Sequence, residues 1–242
     1  MVRFRRKSRL YRKQNAREAN AYLRQLVTAQ DPENVASEAY RTLRTNLLYA
    51  FVDDPPQAIV LTSPGPREGK STACANLGTV LSQVGKSVLL LDCDLRNPVQ
   101  HRIFGLSNRY GIADILAGQR SLPEVWQEPL PGLKVIGAGS IPFDPAGLLS
   151  SRGFSRLVEE ARRQFDYLLI DSPPIELTSD PAILATKVDG VLLVLDAQRT
   201  PRRAFENSVR SLDIVGAKLL GTIMNNVDAS DAPYSDYGHY VR

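Results

Sequence analysis

The stretch Leu61-Thr62-Ser63-Pro64-Gly65-Pro66-Arg67-Glu68-Gly69-Lys70-Ser71-Thr72 leads from apolar residues through a Gly/Pro loop into Gly-Lys-Ser. Residues of these types in this order can hold a polyphosphate. Backbone N–H groups of such a loop converge on a phosphate, and the start of the following helix adds its partial positive charge. Lys70 is placed to reach the outer phosphate oxygens, and the Ser71 hydroxyl to complete the shell of a Mg²⁺ ion. An ordinary turn capping a helix would not need a lysine between Gly69 and Ser71. The glycine usual five residues before Gly69 is Pro64 here, so the strict motif fails at one position.

Carboxylates that could complete such a site come at two apolar run ends. Val88-Leu89-Leu90-Leu91 is followed by Asp92-Cys93-Asp94-Leu95-Arg96, and Tyr167-Leu168-Leu169-Ile170 by Asp171-Ser172-Pro173-Pro174. Parallel-sheet proteins bind ligands outside the carboxyl ends of their strands. Asp92, Asp94 and Asp171 are therefore expected beside the phosphate loop, where Mg²⁺ takes hard oxygen ligands directly or through water.

The elements needed to bring these residues together are legible in the alternation of the chain. Short β-rich runs at Ala58 to Thr62, Ser87 to Asp92, Leu133 to Ile136, Tyr167 to Asp171, Gly190 to Leu195 and Leu219 to Met224 read as strands. Helical patterns lie between them at Lys70 to Val84, Arg152 to Gln164, Pro181 to Lys187 and Arg202 to Val215. This alternation predicts a doubly wound α/β domain over residues 55–228, with a mostly parallel sheet and helices on both faces. Ahead of it, apolar spacing predicts helices over residues 17–27 and from Ser37 to Phe51, and Asp53-Asp54-Pro55-Pro56 breaks the chain. Residues 1–54 are thus expected to form a basic leader and a helical segment. Residues 229–242, rich in Asp, Ser, Gly and Tyr, are expected to be a solvated tail.

Composition sets the outer limits. The chain has 242 residues, 43% apolar and 23% charged, which suits a folded domain and excludes disorder along its whole length. Its longest apolar runs are far below the roughly 18–20 residues of a membrane span, and no secretory signal is visible. Cys74 and Cys93 make neither a disulfide framework nor a zinc site. The net charge of +4 conceals an asymmetry. Residues 1–17 carry eight cations and no acid, leaving 22 cations against 26 acids in the rest. Such a block is a mobile arm, a contact for anionic lipid, or a contact for nucleic acid phosphates, and charge alone does not choose between them.

Together these motifs resemble a known family. Asp92-x-Asp94-x-Arg96 is similar to the Walker A′ element of the deviant P-loop ATPases. Partition-type members carry a lysine where Gly65 stands, and iron–sulfur carriers a Cys-x-x-Cys that is absent here. The bacterial tyrosine autokinases match further. Pro66-Arg67-Glu68-Gly69-Lys70-Ser71-Thr72 resembles their Pro-Gly-Glu-Gly-Lys-Ser-Thr loop, with Arg67 replacing a glycine. Glu38-x-x-Arg41-x-x-Arg44 matches their Glu-x-x-Arg-x-x-Arg element, and Gly105 to Gly118 resembles the segment after Walker A′. Tyr234, Tyr237 and Tyr240 form a short version of their terminal cluster, three of nine tyrosines in the last nine residues.

The resemblance implies an ATP- and Mg²⁺-dependent kinase that phosphorylates Tyr234, Tyr237 and Tyr240, in control of capsular or exopolysaccharide export. It assigns ATP binding to Gly65 through Thr72, and catalysis to Lys70, Asp92 and Asp94. Ser71, Asp92, Asp94 and Asp171 would hold Mg²⁺, and Asp92 would accept the tyrosine proton. Asn225 would read the adenine edge, although Asn225-Asn226 equally suits a turn. A tail of about fifteen residues, at up to about 3.6 Å each, reaches a neighbour's site more readily than its own, so transfer in trans is expected. Glu38, Arg41 and Arg44 would join copies into a ring, or Glu38 and Arg41 would simply pair within their helix.

Implied partners are a separate membrane activator of the polysaccharide co-polymerase type, a tyrosine phosphatase and, through residues 1–17, an anionic membrane. Nucleic acid is disfavoured. The expected location is cytoplasmic, at the inner face of the cell membrane. The rival reading is a nucleotide-switched positioning ATPase of the partition type that phosphorylates nothing.

Overall fold

The computed structural model describes residues 22–51 and 53–228. The leader cations and the tail tyrosines lie outside the described residues. Chain order begins with two helices, α1 (Val27–Gln30) and α2 (Val35–Tyr49), then β1 (Ala58–Thr62), α3 (Lys70–Ser82) and β2 (Val88–Asp92). Three short helices follow, α4 (Gln100–Ile103), α5 (Ile112–Leu116) and α6 (Leu122–Val125), and then β3 (Gln127–Leu130) and β4 (Leu133–Ile136). The remainder is α7 (Pro145–Ser150), α8 (Arg152–Arg162), β5 (Tyr167–Asp171), α9 (Asp180–Ala185), β6 (Gly190–Asp196), α10 (Arg202–Ile214) and β7 (Leu219–Asn225).

The strands form one seven-stranded sheet in the order β3-β4-β2-β5-β1-β6-β7, parallel except for β3 against β4. Strands β1, β2, β5 and β6 are buried along their whole length. Their runs are continuously apolar because both faces are covered. Ala58, Val60, Leu89, Leu91, Leu168 and Ile170 face a layer built on Phe154, Leu157, Leu184 and Leu212. Their neighbours Ile59, Leu61, Val88, Leu90 and Leu169 face the opposite layer, where Leu77, Val80 and Leu81 of α3 pack with Leu26 and Leu47. The doubly wound class expected from the sequence is the one observed.

The edge strand β3 was not expected. Gln-Glu-Pro-Leu lacks β-branched residues, and it becomes a strand only by antiparallel pairing with β4. The helix expected to run through Val27 is interrupted, because Leu26 takes a non-helical conformation ahead of α1. Tertiary contacts explain the break. Asn76 on α3, fully buried, donates to the Gln25 carbonyl at 2.8 Å and accepts from the Thr28 N–H and hydroxyl at 3.1 and 2.8 Å. With Leu26 and Leu47 in its core, the segment ahead of residue 55 packs directly on the sheet domain.

Asp189 anchors the amino ends of the strands. Its Oδ2 accepts the N–H groups of Gln57 and Ala58, both at 2.8 Å, and its two oxygens pair with Arg162 at 2.7 and 2.8 Å. Burial works to raise its pKa, but Arg162 and the two amides outweigh it and hold the carboxyl below its ordinary value. A lowered folded-state pKa stabilises above the unfolded carboxylate's range, and that contribution is lost as pH falls from there through the folded-state value. Asp189→Asn is therefore expected to cost about 1 kcal/mol at neutral pH, discounted for partial exposure. In urea unfolding the gap from the native chain should hold down to about pH 4 and narrow below it.

Candidate active site

At the carboxyl edge, β1 leaves the sheet at Thr62, whose hydroxyl donates to the Pro173 carbonyl at 2.8 Å and ties the loop to the end of β5. The Ser63 hydroxyl donates to the Gly65 carbonyl at 2.7 Å, closing the first turn. Gly69 then opens α3 with φ +93°, and a Cβ there would lie 2.1 Å from the Asn225 amide nitrogen. Left-handed backbone and lack of space both require glycine. The first turn of α3 has no preceding turn to receive its N–H groups, as an anion site needs.

Arg67, where the resemblance would place glycine, holds φ +64°. It adopts the glycine conformation rather than reshaping the loop. Glu68 is buried, with Oε2 unbonded, and burial first, then the neighbouring charges of Asp196 and Glu176, raise its pKa against bonds from Thr200 and Gly65.

Lys70 is the centre of the site. Its ammonium donates to Asp94 Oδ2 at 3.0 Å and to the Ser71 hydroxyl at 3.1 Å, and it stands 3.7 Å from Asp171 Oδ1. Burial pulls its pKa down, but Asp171, Asp94 and Asp92 overcome this and hold it above the ordinary lysine value. Asp92 and Asp171 are register partners on β2 and β5, both fully buried. Burial pushes both carboxyls up, and for Asp92 the charge of Asp171 adds to the rise. Asp92 Oδ2 accepts from the N–H groups of Val99 and Gln100 at 3.0 and 2.9 Å, and its Oδ1 is unbonded, as is that of Asp171. Asp94 Oδ1 accepts from the Asn97 N–H at 3.0 Å.

The tertiary structure thus brings together Lys70, Ser71, Asp92, Asp94 and Asp171. Among the described residues no three His, Cys, Asp or Glu side chains surround a common metal position, and Asp94 and Asp171 close on the Lys70 ammonium. The unbonded Oδ1 atoms of Asp92 and Asp171 are hard, buried donors of the kind Mg²⁺ takes, so the residue set fits that ion and its nucleotide. Asn225, at the end of β7, donates to the Glu68 carbonyl at 3.2 Å, which places its amide against the loop.

The Glu38, Arg41 and Arg44 group stands apart from the site. Arg41 pairs with Glu38 within α2 at 2.6 Å and reaches the Pro32 carbonyl, while Arg44 donates to the Val80 carbonyl of α3 at 3.3 Å.

Three arrangements are not legible in the sequence motifs, although Arg96 itself ends the Asp92-x-Asp94-x-Arg96 element. Gln100 is fully buried between Asp171 and Asp92. Arg96 reaches across to Asp180 on α9 at 3.0 Å. Tyr22, Gln25 and Val99 line a cleft of about 370 Å³ with Arg67, Gly69 and Lys70, and the Thr72 hydroxyl donates to Gln25 at 2.9 Å. The first two come from elements distant in sequence, and Tyr22 and Gln25 lie in the stretch that the sequence marks only as a helix.

The model of the CobQ/CobB/MinD/ParA nucleotide-binding domain matches residues 59–237. The tyrosine-protein kinase YwqD of Bacillus subtilis is 38% identical over 90% of this chain and 91% of its own length. The chain belongs to the bacterial tyrosine-protein kinases. Against the putative tyrosine-protein kinase EpsB of Ralstonia nicotianae it is 36% identical over 89% of the chain, and spans 29% of that longer relative. The kinase domain of the Escherichia coli tyrosine kinase ETK superposes with a TM-score of 0.81 at 31% identity, over 84% of this chain and 80% of that one. The MinD cell division protein of Aquifex aeolicus is more distant, with a TM-score of 0.61 at 28% identity over 75% and 73%. The kinases, rather than the positioning ATPases, are thus the nearer neighbours.

The left-handed backbone at Arg67 sets a testable expectation for this kinase loop. Arg67→Gly should leave thermal stability unchanged or raise it by up to about 1 kcal/mol, whereas Arg67→Val should lower it by more than about 1 kcal/mol. Calorimetry without nucleotide reads both.

Proposed function

We propose that the chain is an ATP-dependent protein-tyrosine autokinase that modifies Tyr234, Tyr237 and Tyr240 in trans. The observation that carries this reading is the meeting of Lys70 with Asp94 and Asp171 at the head of α3, beside Asp92. The family match and the tyrosine cluster supply the acceptor class.

Bound Mg²⁺·ATP supplies the γ-phosphoryl group and shields the charge on its oxygens. Ser71, Asp92 and Asp171 are the residues that would hold the ion, with Asp94 turned to Lys70. Lys70 stays protonated in this acidic setting and can exchange a carboxylate contact for phosphate oxygens without losing its charge. Asp92, buried beside Asp171 with Oδ1 unbonded, accepts the tyrosine proton. Gly69, and Asn225 behind it, keep the loop in the shape a phosphate needs. Positioning and electrostatics do most of the work in such transfers.

The same reading proposes a ring of copies joined through Glu38, Arg41 and Arg44, and a membrane activator that promotes nucleotide binding. It adds a phosphatase that resets the tail, and contact of residues 1–17 with anionic lipid at the inner face of the membrane. Glu38 is exposed, so a neighbour can compete for it with Arg41. Among the described residues no helix is long and apolar enough to cross a membrane.

Intact-mass spectrometry of the purified chain with Mg²⁺·ATP should show added phosphates. These should be absent from Lys70→Met and from the chain with Tyr234, Tyr237 and Tyr240 all changed to Phe. ATP hydrolysis without phosphate on the chain, even with an activator peptide present, would favour the positioning ATPase. Reversing the charges of Arg41 and Arg44 should reduce the mass seen by light scattering under ATP, and an unchanged mass would remove the interface from this proposal.

A further inference from the structure

Gln100, at the start of α4, is fully buried and uses both donors of its carboxamide. Nε2 donates to Asp171 Oδ2 at 2.8 Å and to the Ser71 carbonyl at 3.0 Å. Its backbone N–H, with that of Val99, donates to Asp92 Oδ2 at 2.9 and 3.0 Å. The amide has one permissible orientation, since turning it over would set Oε1 against a carboxylate and a carbonyl.

Asp92 and Asp171 are register neighbours, each with Oδ2 tied to this residue and Oδ1 unbonded in a buried setting. Asp171 Oδ1 faces the Lys70 ammonium at 3.7 Å. A carboxylate free to rotate would offer either oxygen and would pay orientation entropy on gaining a ligand. The Ser71 carbonyl lies in the same residue as the hydroxyl expected at the ion, so one amide ties the P-loop helix to the strand-end acid.

We infer that Gln100 is a positioning residue: its carboxamide locks Asp171 to the head of α3, and so fixes which carboxylate oxygen is presented to the Mg²⁺ of a bound nucleotide. The inference rests on the nucleotide-binding part of the proposed function and does not depend on which group receives the phosphate. Residues that orient metal ligands in this way change metal affinity by about 10- to 100-fold when replaced.

The test is the affinity of the purified full chain for a fluorescent ADP analogue, with and without Mg²⁺. It compares the native chain with Gln100→Met, Asp171→Asn and the double variant. Gln100→Met keeps the volume and removes the donor. The strengthening conferred by Mg²⁺ should fall about tenfold in Gln100→Met, while Mg²⁺-free affinity stays within about twofold. In the Asp171→Asn background Gln100→Met should add nothing further, because it acts through Asp171.

Gln100→Asn retains an amide one methylene too short to reach both acceptors. It should shift the Mg²⁺ effect in the same direction, and it replaces Gln100→Met if that variant does not fold. Equal Mg²⁺ strengthening in all Gln100 variants and the native chain would overturn the inference, as would a parallel loss of affinity with and without Mg²⁺. Mg²⁺-dependent binding that responds as described, on a chain that acquires no phosphate, would uphold Gln100 while refuting the autokinase. A native chain that binds no nucleotide would refute both.

Discussion

A single buried ammonium surrounded by more negative charge than it can neutralise governs this molecule. Lys70 meets Asp94 and Asp171 directly, with Asp92 alongside, and all four side chains are largely or wholly withdrawn from water. Burying unbalanced carboxylates is costly, and the raised pKa values of Asp92 and Asp171 express that cost. A dication bound there would restore balance, and a polyphosphate would give the ammonium a new partner. The uneven charge thus disposes the site toward a metal and a nucleotide together rather than toward either alone.

Such a cluster survives because the sheet around it is rigid. Register pairing sets Asp92 beside Asp171, and both strands are closed on each face by aliphatic layers. The backbone amides of Val99 and Gln100 and the Gln100 side chain take up the carboxylate oxygens that face away from Lys70. At the loop, Gly69 and Asn225 fit so closely that a single methyl would displace one of them, and Arg67 is held in a conformation natural to glycine. Strain and unmet polar atoms gather here, while the aliphatic layers elsewhere are regular, as expected where binding rather than stability has shaped the structure.

Helix α3 serves two neighbourhoods. Its first turn carries Lys70 and Ser71, and its middle carries Asn76, whose side chain is fully bonded to Gln25, Thr28 and Thr72. Further along, the Val80 carbonyl receives Arg44 from α2. The helical segment at the amino end is therefore mechanically continuous with the phosphate loop, and it also contributes Tyr22 and Gln25 to the wall of the cleft. A partner that gripped α2 would be holding the helix that holds the nucleotide.

The sequence by itself determined the strands flanking the site, the helix behind the loop and which polar side chains gather at the sheet edge. Those depend on local signals: aliphatic runs of strand length, Gly and Pro at turns, and acids at strand ends. The edge strand β3, the break before α1 and the closure of Asp94 and Asp171 on Lys70 were decided only by the tertiary structure. In each of these a long-range partner overrides a weak local preference, as β4 does for Gln-Glu-Pro-Leu and Asn76 does for Gln25 and Thr28. Gln100 is the plainest case. Nothing in its neighbours marks it, and its role arises because the sheet brings Asp171 to it from 71 residues away.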